Sequence, residues 1–288
     1  MRYRFMKEHA KEFRIEKMAL VFQVSISGYY VYVQRGLSLR DKEDQKLVDQ
    51  IKQIYQEGRK MYGSPRVHAV LQRRGVPCSR KRVAKLMREH GIAAKMRKSW
   101  KRTTKQGKRK AAANLVKQEF IKEEPNHTWV SDITYVKTKE GWLYLSAVID
   151  LFSRKVVGLS MGKRIDTNLI ERAVRQALCH RHPYQGLIHH SDRGSQYTSE
   201  EFEKLAKENG IVLSMSSTGN CYDNAVAESF FHTLKTEHIY QEKFATREEA
   251  KRSIFEYIEV FYNRQRAHSF LGYLSPEQFE QNWSKQAI

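Results

Sequence analysis

His189-His190-Ser191-Asp192-Arg193-Gly194-Ser195-Gln196-Tyr197 opens the stretch that decides the fold, and Asp223-Asn224-Ala225-Val226-Ala227-Glu228-Ser229-Phe230-Phe231 closes it. Asp192 follows the apolar pair Leu187-Ile188 and precedes Gly194, which reads as the end of a buried strand entering a turn. Glu228 falls in residues 224–237, where Val226, Phe230, Phe231 and Leu234 repeat as a helical apolar stripe. Between the two carboxylates lie 35 residues. A third acid, Asp132, stands inside Trp129-Val130-Ser131-Asp132-Ile133-Thr134-Tyr135-Val136, a β-branched and aromatic run typical of a central strand. A charge in the middle of such a strand needs a partner or a metal. Three carboxylates on one sheet edge would suit two divalent ions.

The spacing of these acids, with Lys235 seven residues after Glu228, resembles the DDE transposase and retroviral integrase superfamily. The wording is closer still to one branch. Trp129-x-x-Asp132-Ile133-Thr134-Tyr135, His190-Ser191-Asp192-x-Gly194-Ser195-Gln196-Tyr197, Asp223-Asn224-Ala225-x-x-Glu228-Ser229-Phe230 and Tyr262-Asn263-x-x-Arg266-x-His268-x-x-Leu271-Gly272-Tyr273-x-Ser275-Pro276 are similar to the longer open-reading-frame product of the insertion-sequence-three family. The likeness runs from about residue 125 to 279 and is looser before that. It implies a DNA transposase, a polynucleotidyl transferase that cuts element ends and joins the freed 3′-hydroxyl to target DNA. It also implies two Mg²⁺ ions, with Mn²⁺ able to substitute, Asp132 bridging them and Asp192 and Glu228 each completing one coordination sphere. Lys235 would then grip the donor-end phosphate; the plain alternative is a surface lysine. The resemblance further implies a homodimer or larger assembly on terminal inverted repeats and target DNA, and fusion by frameshift to a small upstream open-reading-frame product.

Charge points the same way. The chain of 288 residues carries a net charge of +20, yet residues 1–124 hold 32 bases and 12 acids while residues 125–288 hold 20 of each. A polyanion-binding front end joined to a balanced core is the reading. An anionic membrane surface is the other polyanion, but no apolar run approaches the ~18 residues of a spanning helix, so no membrane is expected. Cys78, Cys179 and Cys221 are too scattered for a disulfide framework, which suggests a reduced, cytoplasmic setting; association with the nucleoid is what the resemblance implies. Cys179-His180-Arg181-His182 lacks the second ligand pair that a structural zinc needs.

Five segments are expected. Residues 1–38 form a small helical unit, either half of a helix-turn-helix or a hairpin that only packs on the neighbouring segment. Residues 41–94 form a helix-turn-helix-like DNA-binding domain: Asp41 caps a first helix, Ser64-Pro65 starts a second, and Ser79 caps a third that ends at Gly91. On that third helix Val83, Leu86 and Met87 share a face, and Arg80, Lys81, Arg82, Lys85 and Arg88 cover the rest as candidate DNA contacts. From Arg66 to Lys110 there are 17 bases and one acid. Residues 95–121 are therefore read as a basic linker lying along phosphates, with Lys98, Lys101 and Arg102 as contacts and Trp100 available to stack.

Residues 122–240 turn α/β: strands at 128–137, 142–150 and 155–161, a helix capped by Asp166 or Thr167, a strand at 187–191, a helix, and a strand at 211–215. That order, a mixed five-stranded sheet with helices, is the one expected of an RNase H-like integrase core. Residues 241–288 extend it with a helix opened by the capping box Thr246-Arg247-Glu248-Glu249 and a short last helix from Ser275-Pro276. Between them, Arg266 and His268 either contact DNA or anchor that final helix. Asp150, a rival carboxylate, is expected to bond Arg154 across a hairpin. Two other functions share parts of this pattern. A nuclease of the RNase H or junction-resolving kind would need the acids but not Lys235 or the basic front end. A DNA-binding repressor would not need three buried acids.

Overall fold

The computed structural model describes residues 2–34, 38–95, 112–116, 120–216 and 224–286. The candidate DNA contacts Lys98, Trp100, Lys101 and Arg102 lie outside them. No helix among the described residues is long and apolar enough to cross a membrane.

β1 (Thr128–Thr138), β2 (Gly141–Asp150) and β3 (Val156–Gly162) run antiparallel, and β4 (Ile188–Ser191) and β5 (Val212–Met215) add parallel strands on the far side of β1. The order is β3-β2-β1-β4-β5, so β1 is central. Alternation along the strands sorts side chains to two faces. Trp129, Val148 and Val157 pack under α7 (Thr167–Arg181) and α8 (Glu200–Glu208). Val130, Val136, Ala147 and Ile149 pack under α9 (Ala225–Glu237) and α10 (Arg247–Glu256). β3 and α7 touch through Gly158, where a Cβ would sit 2.1 Å from the Ala173 carbonyl oxygen.

The caps expected at Ser79, Asp166 and Thr246 are present. Two others move. Ser38, not Asp41, caps α4 (Leu39–Glu57), with Asp41 closing the capping box, and Gly63 precedes α5 (Ser64–Arg73). α6 (Arg80–Glu89) follows, and α4, α5 and α6 share one apolar cluster with α9 and α10. After α10 the backbone widens into a π-helical turn, Tyr257–Tyr262, before the last helix α11 (Pro276–Gln286). The N-terminal unit holds three helices rather than a hairpin: α1 (Arg2–Glu8), α2 (Ile15–Phe22) and α3 (Ile26–Gln34) close around Met6, Met18, Ala19 and Tyr29.

Candidate active site

Register places the first two carboxylates. Val130 of β1 pairs with His190 of β4 in parallel. Asp132 lies two residues further along β1, and Asp192 directly follows Ser191, the last residue of β4, close enough for its charge to act on Asp132. The face of β1 that Asp132 shares by parity with Val130 and Val136 is the one α9 covers. α9 is pinned there by Asn224, a buried residue before its first turn, whose Nδ2 donates to the Ser131 carbonyl at 3.3 Å. Glu228, four residues on, sits exposed in the first turn of α9.

The turn after β4 shapes Asp192. Gly194 N donates to Asp192 Oδ1 at 3.0 Å, and a Cβ at Gly194 would crowd that oxygen at 3.0 Å. Behind the edge, His189 is buried with Nε2 2.7 Å from Ser131 Oγ, and His190 bonds Ser214 Oγ at 2.8 Å. Burial, then the neighbouring His190, pushes His189 down to about 3, so it stays neutral and holds strands together.

Electrostatics ties the acids into one group. Burial, then the Asp192 charge, then Glu228, raise the Asp132 carboxyl to about 7, against the pull of the Ile133 N–H and the Lys235 ammonium. Partial desolvation also raises Asp192 and Glu228, although both residues are exposed, so the three acids are not all buried as expected. Lys235 Nζ sits 5.0 Å from the centre of the Tyr135 ring, and burial lowers it while Tyr135 and Asp132 support its charge. Lys235 is the cation that acts on Asp132 in this set. Among the described residues no three such side chains close into a ligand cage. The donors are nonetheless all hard oxygens, with burial and then the neighbouring carboxylates raising Asp132, and this suits divalent cations of the Mg²⁺ kind.

Other expected sites are relocated. Arg266 does not face DNA: its guanidinium is 4% exposed and donates from Nε and Nη2 to Glu237 at 2.7 Å each. Burial makes that carboxylate partner obligatory. Arg82 turns inward, donating to Asp44 Oδ1 at 2.6 Å, and so fastens α6 to α4. Arg80, Lys81, Lys85 and Arg88 remain on the outer side of α6, with Val83, Leu86 and Met87 buried on the inner. Asp150 does not bond the Arg154 side chain. It is fully buried, accepting from Asn126 N at 2.8 Å, Phe152 N at 2.9 Å and Arg181 Nη2 at 3.2 Å. Arg154 instead reaches the Phe120 carbonyl. Asn224 is the site residue that sequence patterning passes over; its signal is a polar residue just before the helix, four ahead of Glu228.

Residues 122–221 and 228–283 each match an integrase core domain profile, and residues 42–100 match an HTH-like domain. The chain is 42% identical over 271 residues to the insertion element IS600 uncharacterized 31 kDa protein of Shigella sonnei, covering 94% of this chain and 100% of that one. It is 41% identical over 283 residues to Transposase InsF for insertion sequence IS3A of Escherichia coli (strain K12), covering 97% and 98%. Among solved structures, the catalytic core domain of BIV integrase aligns with 56% of this chain and 98% of its own, at 21% identity and a TM-score of 0.42. The chain belongs to the insertion-sequence-three family of transposases, DDE-type polynucleotidyl transferases that combine an HTH-like DNA-binding domain with an integrase core using divalent metal ions.

Proposed function

We propose that Asp132, Asp192 and Glu228 are the catalytic carboxylates of this transposase and hold two Mg²⁺ ions, with Mn²⁺ able to replace them. The observation that carries this is the pairing of β1 with β4, which sets Asp132 near Asp192 just past the end of β4, with the helix of Glu228 tied by Asn224 to Ser131, the residue before Asp132 on β1. When bound, such ions neutralise the phosphoryl oxygens and the oxygens attacking and leaving in line. The chain supplies the rest. Asn224 and Gly194 fix two of the carboxylates, the neutral His189 keeps β4 against β1, and Lys235 offers a compact positive charge to the phosphate of the element end.

Around this centre, residues 41–94 read the element ends through Arg80, Lys81, Lys85 and Arg88, and residues 95–121 lie along phosphates through Lys98, Lys101 and Arg102, with Trp100 stacking. Residues 122–240 carry the chemistry, residues 241–288 buttress it, and residues 1–38 are a separate helical unit. A homodimer or larger assembly holds two ends and target DNA, in the cytoplasm at the nucleoid, with the chain also made as a frameshift fusion. Incubating the protein with Mg²⁺ and DNA bearing the element end tests the reading. Strand-joined products are expected; cleavage without joining indicates a plain nuclease, and binding without either a repressor.

A further inference from the structure

The seam between α4–α5 and the C-terminal extension contains a cleft of about 600 Å³. Arg73 and Arg74, at the end of α5, enter it from one side; Arg264 and the amides of Gln278 and Asn282 enter from the other. Among the described residues its one lining carboxylate is Glu57, already bonded to Arg74. Arg264 makes only a long ion pair, 3.9 Å from Glu277 and beyond hydrogen-bond reach. Arg73 donates at 3.0 Å to the neutral side chain of Gln278, and among the described residues no carboxylate pairs with it. Partial desolvation and the adjacent Arg74 hold its guanidinium below the usual value.

Three guanidinium groups thus face one cavity with fewer anions than cations and several amide donors beside them. Planar forks of this kind suit the paired oxygens of a phosphodiester. In helix-turn-helix proteins the helix before the reading helix crosses the nucleic-acid backbone. α5 holds that place before α6, and its C-terminal end carries Arg73 and Arg74.

We propose that this cleft is a phosphodiester site for the DNA duplex, completed only when α5 and the C-terminal extension are docked, so that one phosphate contact spans the two units. The inference rests on residues 41–94 binding the DNA of the element end. It is separate from the carboxylate site, because binding can be measured without divalent metal.

The test uses the full-length protein and end DNA, with affinity followed against salt in EDTA. Arg73→Gln with Arg264→Gln should make the log–log salt dependence shallower by about 0.9, the slope of one phosphate contact. Phosphate-ethylation interference should disappear at one or two neighbouring positions. Arg73→Lys with Arg264→Lys keeps the charges and should retain most of the slope, separating loss of charge from loss of fold. An unchanged slope and footprint in the Gln variant overturns the proposal. So does millimolar inorganic phosphate raising the melting temperature of wild type but not the Gln variant while DNA binding is equal in both, which marks a small-anion site. If neutralising Arg80 and Lys81 leaves the slope intact while the cleft variant still lowers it, the role of α6 falls and the cleft stands.

Discussion

Glu237→Gln is expected to destabilise the protein by about 3–5 kcal/mol, the cost of leaving a buried charge without its partner. Glu237 is the last residue of α9 and accepts four bonds. Two come from Arg266 at 2.7 Å, one from Arg66 Nη1 at 3.1 Å, and one from the Tyr257 hydroxyl at 3.0 Å. A glutamine keeps the shape but turns an amide donor toward these donors, and the 4%-exposed Arg266 loses its counter-charge. Arg66→Gln leaves the inner pair intact and removes only one charge-assisted bond, so about 1–2 kcal/mol is expected. Thermal and urea unfolding at pH 7 should therefore rank wild type, Arg66→Gln, then Glu237→Gln.

Acid should erase the difference. Burial pushes the Glu237 carboxyl up, but the bonds and charge of Arg266, then Arg66, hold it below the ordinary glutamate value. A depressed carboxyl stabilises fully above its unfolded value of about 4.3 and loses that contribution as pH falls through its lower folded value. The gap between wild type and Glu237→Gln should shrink on going below about pH 4. A Glu237→Gln protein within about 1 kcal/mol of wild type at pH 7 would refute the reasoning, because the pair would then cost as much to bury as it returns.

Asp132→Asn, Asp192→Asn and Glu228→Gln should each abolish cleavage and joining in gel assays while end binding persists; near-wild-type joining by one removes that residue from the site. Lys235→Ala should slow joining ten- to a hundred-fold, about 1–3 kcal/mol for one charge-assisted contact, with arginine restoring part; a wild-type rate makes it ordinary surface. Asp150→Asn should lower the melting temperature, because its oxygens accept two backbone bonds and Arg181, yet leave joining per folded molecule unchanged. Neutralising Lys81 and Lys85 should weaken end binding in a salt-dependent way and narrow the preference for the end sequence over random DNA.

Local patterning carries far in this chain. The strand starts, the caps at Ser79, Asp166 and Thr246, and the three acids are legible because each rests on neighbours within a few residues. Long-range pairing is not. Arg266 looks like one of several bases in a loop until Glu237, 29 positions earlier, claims it. The fate of Arg82 depends on Asp44 in another helix, and that of Asp150 on Arg181, 31 positions on. α1 escapes a pattern reading because its buried residue is a single methionine, Met6, which gives no apolar period. The approach of Asp132 to Asp192 also needs the register of β1 against β4, which no window of sequence contains.

The grip of Arg66 on Glu237 sets a limit on modularity. α9 is a stiff rod of 13 residues, about 20 Å long, with Glu228 near one end and Glu237 at the other. Arg59 bonds Glu256 and lies 4.7 Å from the centre of the Phe261 ring, while the Tyr62 hydroxyl accepts from Ala267 N at 2.7 Å. Exchanging the front end for that of another transposase would strip Glu237 of one cation and uncover the apolar seam beneath it. A working chimera must bring its own equivalents of Arg59, Tyr62 and Arg66, so the boundary at which such parts can be traded is a surface and not a point in the linker.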